Sequence, residues 1–177
     1  MSLRKLFGLT PSDPARKNRL VAAVQAKLTE LPPQRAEFVA AFAGLLVGVA
    51  HADEQVSDAE RAALRKEIAE RAALSREEAE AVADIVVHQA NAFAGIEYSS
   101  LTRIFNDLAS EEEKVQLIDC LYVIATAESP VSLVEDEEIR AVATALLLSH
   151  SQFIAIRQRY KDQLEVIQAL RVQRSQS

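Results

Sequence analysis

Two stretches of this chain carry acids at matching places, "HADEQVSDAE" at 51–60 and "TAESPVSLVE" at 126–135. Aligned without a gap, Asp53 stands against Glu128, Val56 against Val131, Ser57 against Ser132 and Glu60 against Glu135, and Glu138 follows one helical turn later. One acid of each pair closes a helix and the other lies in the first turn of the next. A short turn between antiparallel helices is therefore expected to bring them together. Two such hairpins packed about a pseudo-twofold would gather Asp53, Glu60, Glu128, Glu135 and Glu138 into one acidic cluster. Hard divalent cations such as calcium or magnesium take several oxygens at once, and this set would supply them.

The same acids have a competing structural use. In Ser-x-x-Glu the serine caps the helix and the glutamate reaches back to the cap's backbone N–H, so Glu60 and Glu135 are already explained as capping partners. An acid in the first turn also complements the helix dipole by about 0.3–1 kcal/mol. Asp53 and Glu128 are different, because a negative charge at the end of a helix is unfavourable there. Those two acids carry the cation reading. The loop is not an EF-hand, since the alternating oxygen ligands and central glycine are missing.

Other chemistry-bearing residues fit structural roles better. Asp84 and His88 share a helix face at i,i+4, a spacing that chelates a metal or forms a surface ion pair. His51 and His150 fall near helix ends, where an imidazole bonds free carbonyls. Cys120 in "LIDCLYVIA" reads as a small core residue. The chain has no Glu-x-x-His pair for a di-iron site, no glycine-rich phosphate loop and no nucleophile elbow. A divalent-metal-dependent hydrolase using the clustered carboxylates is the competing function. It calls for a deep cleft lined by perturbed titratable groups, whereas an interaction module calls for a broad acidic face.

The elements that must position these residues are helices. The chain has 177 residues, 49% hydrophobic and 26% charged, with only four glycines and five prolines, a balance that favours a helical globular fold over a sheet. Leu101, Ile104, Phe105 and Leu108 fall at i, i+3, i+4 and i+7, as do Ile139, Val142, Ala143 and Leu146. Start signals occur at Ser57/Glu60, Ser75/Glu78, Ser110/Glu113, Ser132/Glu135 and Ser149/Gln152. They predict helices over 13–30, 34–52, 58–72, 76–92, 99–108, 111–127, 133–148 and 150–172 in an all-α fold. The last carries Phe153, Ile156, Tyr160, Leu164 and Ile167 on one stripe. Ala40, Gly44, Gly48 and Ala52 form a ridge of small residues on the second helix, suited to close approach by another helix. The apolar run from Phe38 to Ala50 is well short of the roughly 20 residues that span a bilayer.

Net charge is −6, with the acids concentrated in the middle of the chain. That distribution disfavours nucleic acid and favours a divalent cation or a basic protein surface as partner. One cysteine permits no internal disulfide, and with no secretory leader recognisable the expected compartment is the cytoplasm. The N-terminal "MSLRKLFGL" mixes apolar and basic residues but is short for a membrane anchor. Peripheral membrane contact and a homodimer both stay open. The expected organisation is an N-terminal extension at 1–12, one helical domain at 13–172 made of two related hairpin units with flanking helices, and a tail at 173–177.

The doubled motif, "AHADEQVSDAE" from Ala50 and "ATAESPVSLVE" from Ala125, resembles that of the tellurite-resistance TerB-like family (TerB and DjlA N-terminal-like helical domains). The family repeat reads A-x-A-D-G-x-[apolar]-x-x-x-E between two helices. The following "DEEIRAVATALLLSHSQF" is similar to the second family repeat, and the resemblance runs over about 36–160. It implies an all-helical stress-response or interaction module linked to tellurite or metal stress. Here the usual Asp-Gly is Asp53-Glu54 in the first copy and Glu128-Ser129-Pro130 in the second, so both turns lack the glycine.

Overall fold

Serine sets most of the helix starts. The structure, a computed structural model, describes residues 19–50, 56–89 and 96–169. Among them run α1 (Arg19–Lys27), α2 (Pro33–Ala50), α3 (Asp58–Arg71), α4 (Arg76–Gln89), α5 (Ile96–Leu108), α6 (Glu111–Ala125), α7 (Leu133–Ala145) and α8 (His150–Arg157), followed by a 3-10 segment at Gln158–Gln163. All five predicted capping boxes form. The N–H of Ser57, Ser75, Ser110, Ser132 and Ser149 donates to the side chain three residues on at 2.8–2.9 Å. Each serine Oγ accepts from that residue's N–H at 3.2–3.3 Å.

A helix that is apolar all round must be covered on all sides, and α2 is. Every residue from Phe38 to Val47 is buried, and α1, α3, α4, α5, α6 and α7 all pack on it. The two glycines of the small-residue ridge do what its spacing predicts, and Ala52 lies outside the described residues. A Cβ on Gly44 would stand 2.6 Å from Leu101 Cδ1 and 2.7 Å from Leu20 Cδ2, and one on Gly48 would overlap the Tyr98 ring, at 3.0 Å from Cδ2. α5 therefore lies against the glycine side of α2. Phe38, Phe42 and Phe105 close the other end with ring centroids 5.3–6.2 Å apart.

The ends of α3 and α7 share one construction. Ala73 and Leu147 adopt φ of 51° and 64°, the left-handed conformation usually taken by glycine after a helix. The next residue reaches back over the turn, Leu74 N–H to Ala69 O and Leu148 N–H to Ala143 O, both at 3.1 Å. Leu74 and Leu148 are buried, and Ser75 and Ser149 then start α4 and α8.

The expected helix at 150–172 is broken. α8 ends at Arg157, the 3-10 segment follows, and Leu164 is extended at φ −78°, ψ 127°. Val131 N–H donates to Gln163 O at 2.8 Å and Glu165 N–H to Val131 O at 3.0 Å, a parallel bridge to the turn between α6 and α7. Two backbone bonds to that turn, with Leu164 buried beside it, replace the continued helix. The first helix begins at Arg19, and its predicted residues 13–18 lie outside the described ones. No helix of the described residues is long and apolar enough to cross a membrane.

Candidate functional site

The α2/α3 and α6/α7 pairs pack on each other, with α2 against α6 and α7 and α3 against α6. Each second helix starts on an acid-bearing box. Glu60 Oε2 accepts from Ser57 N–H and Glu135 Oε2 from Ser132 N–H, both at 2.8 Å, so one oxygen of each carboxylate is committed to capping. Glu128 is exposed in the turn before α7, and Glu138 is half-buried on α7. Asp53 lies outside the described residues, as do Glu54 and His51. Among the described residues no three acids, histidines or cysteines gather closely enough to hold a metal ion.

Tyr98 on α5 is one of four described residues with a buried polar side-chain atom left unpartnered, beside Arg61, Arg65 and Asn106. It is 3% exposed, lies over Gly48, and its hydroxyl has no hydrogen-bond partner. Burial, with the negative charge of Glu138, pushes this phenol far above its ordinary range. The hydroxyl thus stands neutral and unbonded, on a ring packed against α2.

Two buried acids escaped the sequence reading and hold the bundle together. Asp136 accepts from Tyr122 Oη at 2.7 Å, from Arg157 Nε at 2.9 Å and from Arg157 Nη2 at 2.7 Å. This side-on fork joins α6, α7 and α8, and it holds the Arg157 guanidinium above its usual pKa. Tyr160 stacks on Tyr122 with centroids 4.9 Å apart and donates to Asp119 Oδ1 at 3.0 Å. Glu67 on α3 takes the Cys120 thiol at 3.0 Å and Arg71 Nε at 3.5 Å. Burial, together with Glu67, pushes the thiol well above its ordinary range, which leaves it protonated and inert.

Asp84 makes surface ion pairs, directed to the neighbouring helix. It faces α3, at 3.9 Å from Arg61 and 3.5 Å from Arg65, and Glu80 lies 3.7 Å from Arg65. An open groove of about 570 Å³ runs beside this pair of helices, lined by Arg61, Asp84, Ile85, Val87, His88 and Gln89. His150 is the first residue of α8, where the unpaired backbone groups are N–H rather than the carbonyls expected near it.

The family model described as tellurite resistance protein TerB matches residues 39–158, from within α2 to the end of α8. No curated protein and no solved structure matches the chain.

Proposed function

The chain belongs to the tellurite resistance protein TerB family, and on that premise we propose that it is a non-enzymatic interaction module whose two acidic turns hold a divalent cation, calcium or magnesium, where a protein partner docks. The ligands would be drawn from Asp53, Glu60, Glu128, Glu135 and Glu138, with Asp53 joining no more than two of the other four. The proposed setting is the cytoplasmic response to tellurite or metal stress, a reading supported by the family's description as tellurite resistance protein.

The observation that carries this reading is the unpartnered hydroxyl of Tyr98, buried in the field of Glu138. A buried donor left unmet costs about 1–3 kcal/mol, and a hydrated cation drawn to Glu138 would bring the water or carboxylate that meets it. Glu60 and Glu135 each keep one oxygen outside their capping box for the ion. Asp53 is decisive, because the described acids do not form a three-ligand set by themselves.

The test is thermal melting with and without calcium or magnesium, on the wild type and on Asp53→Asn. A cation at about ten times its dissociation constant stabilises by about 1.4 kcal/mol, which raises the Tm of a chain this size by roughly 3–5 °C. Asp53→Asn should abolish the rise while leaving both capping boxes intact. A wild-type Tm indifferent to both ions would overturn the cation reading.

A further inference from the structure

We propose that the groove between α3 and α4 binds a carboxylate group carried on an apolar body, received by Arg61. The inference does not depend on the cation reading. It starts from a contrast within the molecule. Arg157 fills its side-on fork completely, with Nε and Nη2 both bonded to Asp136 at 2.7–2.9 Å. Arg61 and Arg65, one turn apart on α3, make only loose ion pairs at 3.5–3.9 Å, and the Nε of each is buried with no hydrogen-bond partner. Two guanidinium forks are therefore held in place by charge alone.

Arg61 is the freer of the two. Arg65 is flanked by Asp84 and Glu80, and Asp84 lies nearer to Arg65 than to Arg61. Arg61 also lines the open groove, and its side chain is 35% exposed. A turn of this guanidinium toward the groove brings its fork out of the wall, where a planar carboxylate can take Nε–H and Nη–H together. The gain comes from a donor that is now buried and unmet.

The surroundings select the ligand. Asp84 and Glu80 already balance the two arginines, so the site tolerates one added negative charge better than two, and a carboxylate is preferred to a phosphate dianion. Ile85 and Val87 give the groove an apolar wall and Gln89 an amide at its edge, which suits an organic acid rather than a bare inorganic anion. The groove volume, about 570 Å³, falls within the range of small-ligand clefts. An acidic side chain next to an apolar residue in a partner peptide presents the same group as a free short-chain acid.

The experiment follows the arginine Nε–H resonances of the full chain by NMR at constant ionic strength during titration with sodium butyrate, sodium phosphate and sodium chloride. A short N-acetylated peptide ending in Leu-Glu-amide, with the Glu side chain as its one carboxylate, serves as the peptide source. Butyrate should move the Arg61 signal saturably, phosphate should bind at least about threefold more weakly for its second charge, and chloride should give no saturable shift. Tighter binding of the peptide than of butyrate assigns the site to a protein partner, and equal or weaker binding assigns it to free acids. Asp84→Asn removes the competing carboxylate and should tighten butyrate, whereas Arg61→Gln should abolish the response. Equal shifts with all three salts, no saturation with butyrate, or a response retained in Arg61→Gln would each overturn the proposal. Amide spectra of both variants, matched to the wild type, exclude misfolding as the cause.

Discussion

At the scale of the residue, the two left-handed turn positions carry the strain. Leu147 holds φ at 64° with its side chain 77% exposed, so a β-carbon sits in an unfavourable backbone region without burying anything in return. Leu147→Gly should raise stability by about 0.5–1 kcal/mol net of glycine's greater unfolded-state entropy, measured by urea denaturation. A loss would mean that the leucine makes a contact worth more than its strain. These positions could not be read in advance, because the glycine that normally marks such a turn is absent. The capping boxes were legible in full, since a serine and a glutamate or glutamine three residues apart meet within one helical turn. Asp136 and Glu67 were legible in principle. Asp136 lies on the face of Ile139 and Ala143, and Glu67 stands beside Leu64 and Ile68, so each is an acid placed on a buried stripe. Such an acid needs a partner, but the partners Arg157, Tyr122 and Cys120 lie on other helices. Periodicity along one segment does not name them.

At the scale of the element, α2 and α5 depend on the missing side chain at Gly48. In an open helix Gly→Ala would stabilise by about 1 kcal/mol. Here the added methyl overlaps the Tyr98 ring, and overpacking a well-filled core costs about 1–3 kcal/mol. Gly48→Ala should therefore be destabilising in equilibrium unfolding, and Gly48→Leu more so. Unchanged stability in both would mean that α5 is not seated on this ridge. The helix itself was evident from its apolar run, and the ridge from four small residues at one spacing. The break after Arg157 was not evident, because the stripe from Phe153 to Leu164 satisfies a continuous helix equally well. The backbone bonds between Val131 and residues 163–165 decide it, and no local pattern reports a contact between segments so far apart. The candidate site acids were read as a pattern, and pattern alone could not say how many of their oxygens capping takes.

At the scale of the whole molecule, every tyrosine in the chain is tied into the packed bundle. Burial raises the phenols of Tyr98, Tyr122 and Tyr160, reinforced by Glu138, Asp136 and Asp119 respectively. A group whose folded pKa lies above its unfolded value contributes stability that is fully present below the unfolded pKa, about 10 for tyrosine, and is lost as pH rises beyond it. Tyrosinate absorbance should therefore stay nearly flat through the normal tyrosine range and then rise in one step with loss of helical circular dichroism. The chain has no tryptophan to obscure the signal. A smooth titration near pH 10, with the helix intact, would show that the phenols are reachable by solvent.

The burial of α2 on every side has a consequence for how the chain is made. α2 leaves the ribosome before α5, α6 and α7, which cover much of its surface. At about 5–20 residues per second, the nascent chain carries this apolar segment without its full cover for several seconds. A chaperone that recognises short apolar stretches should bind translating ribosomes most strongly between the emergence of Ala50 and that of Tyr122.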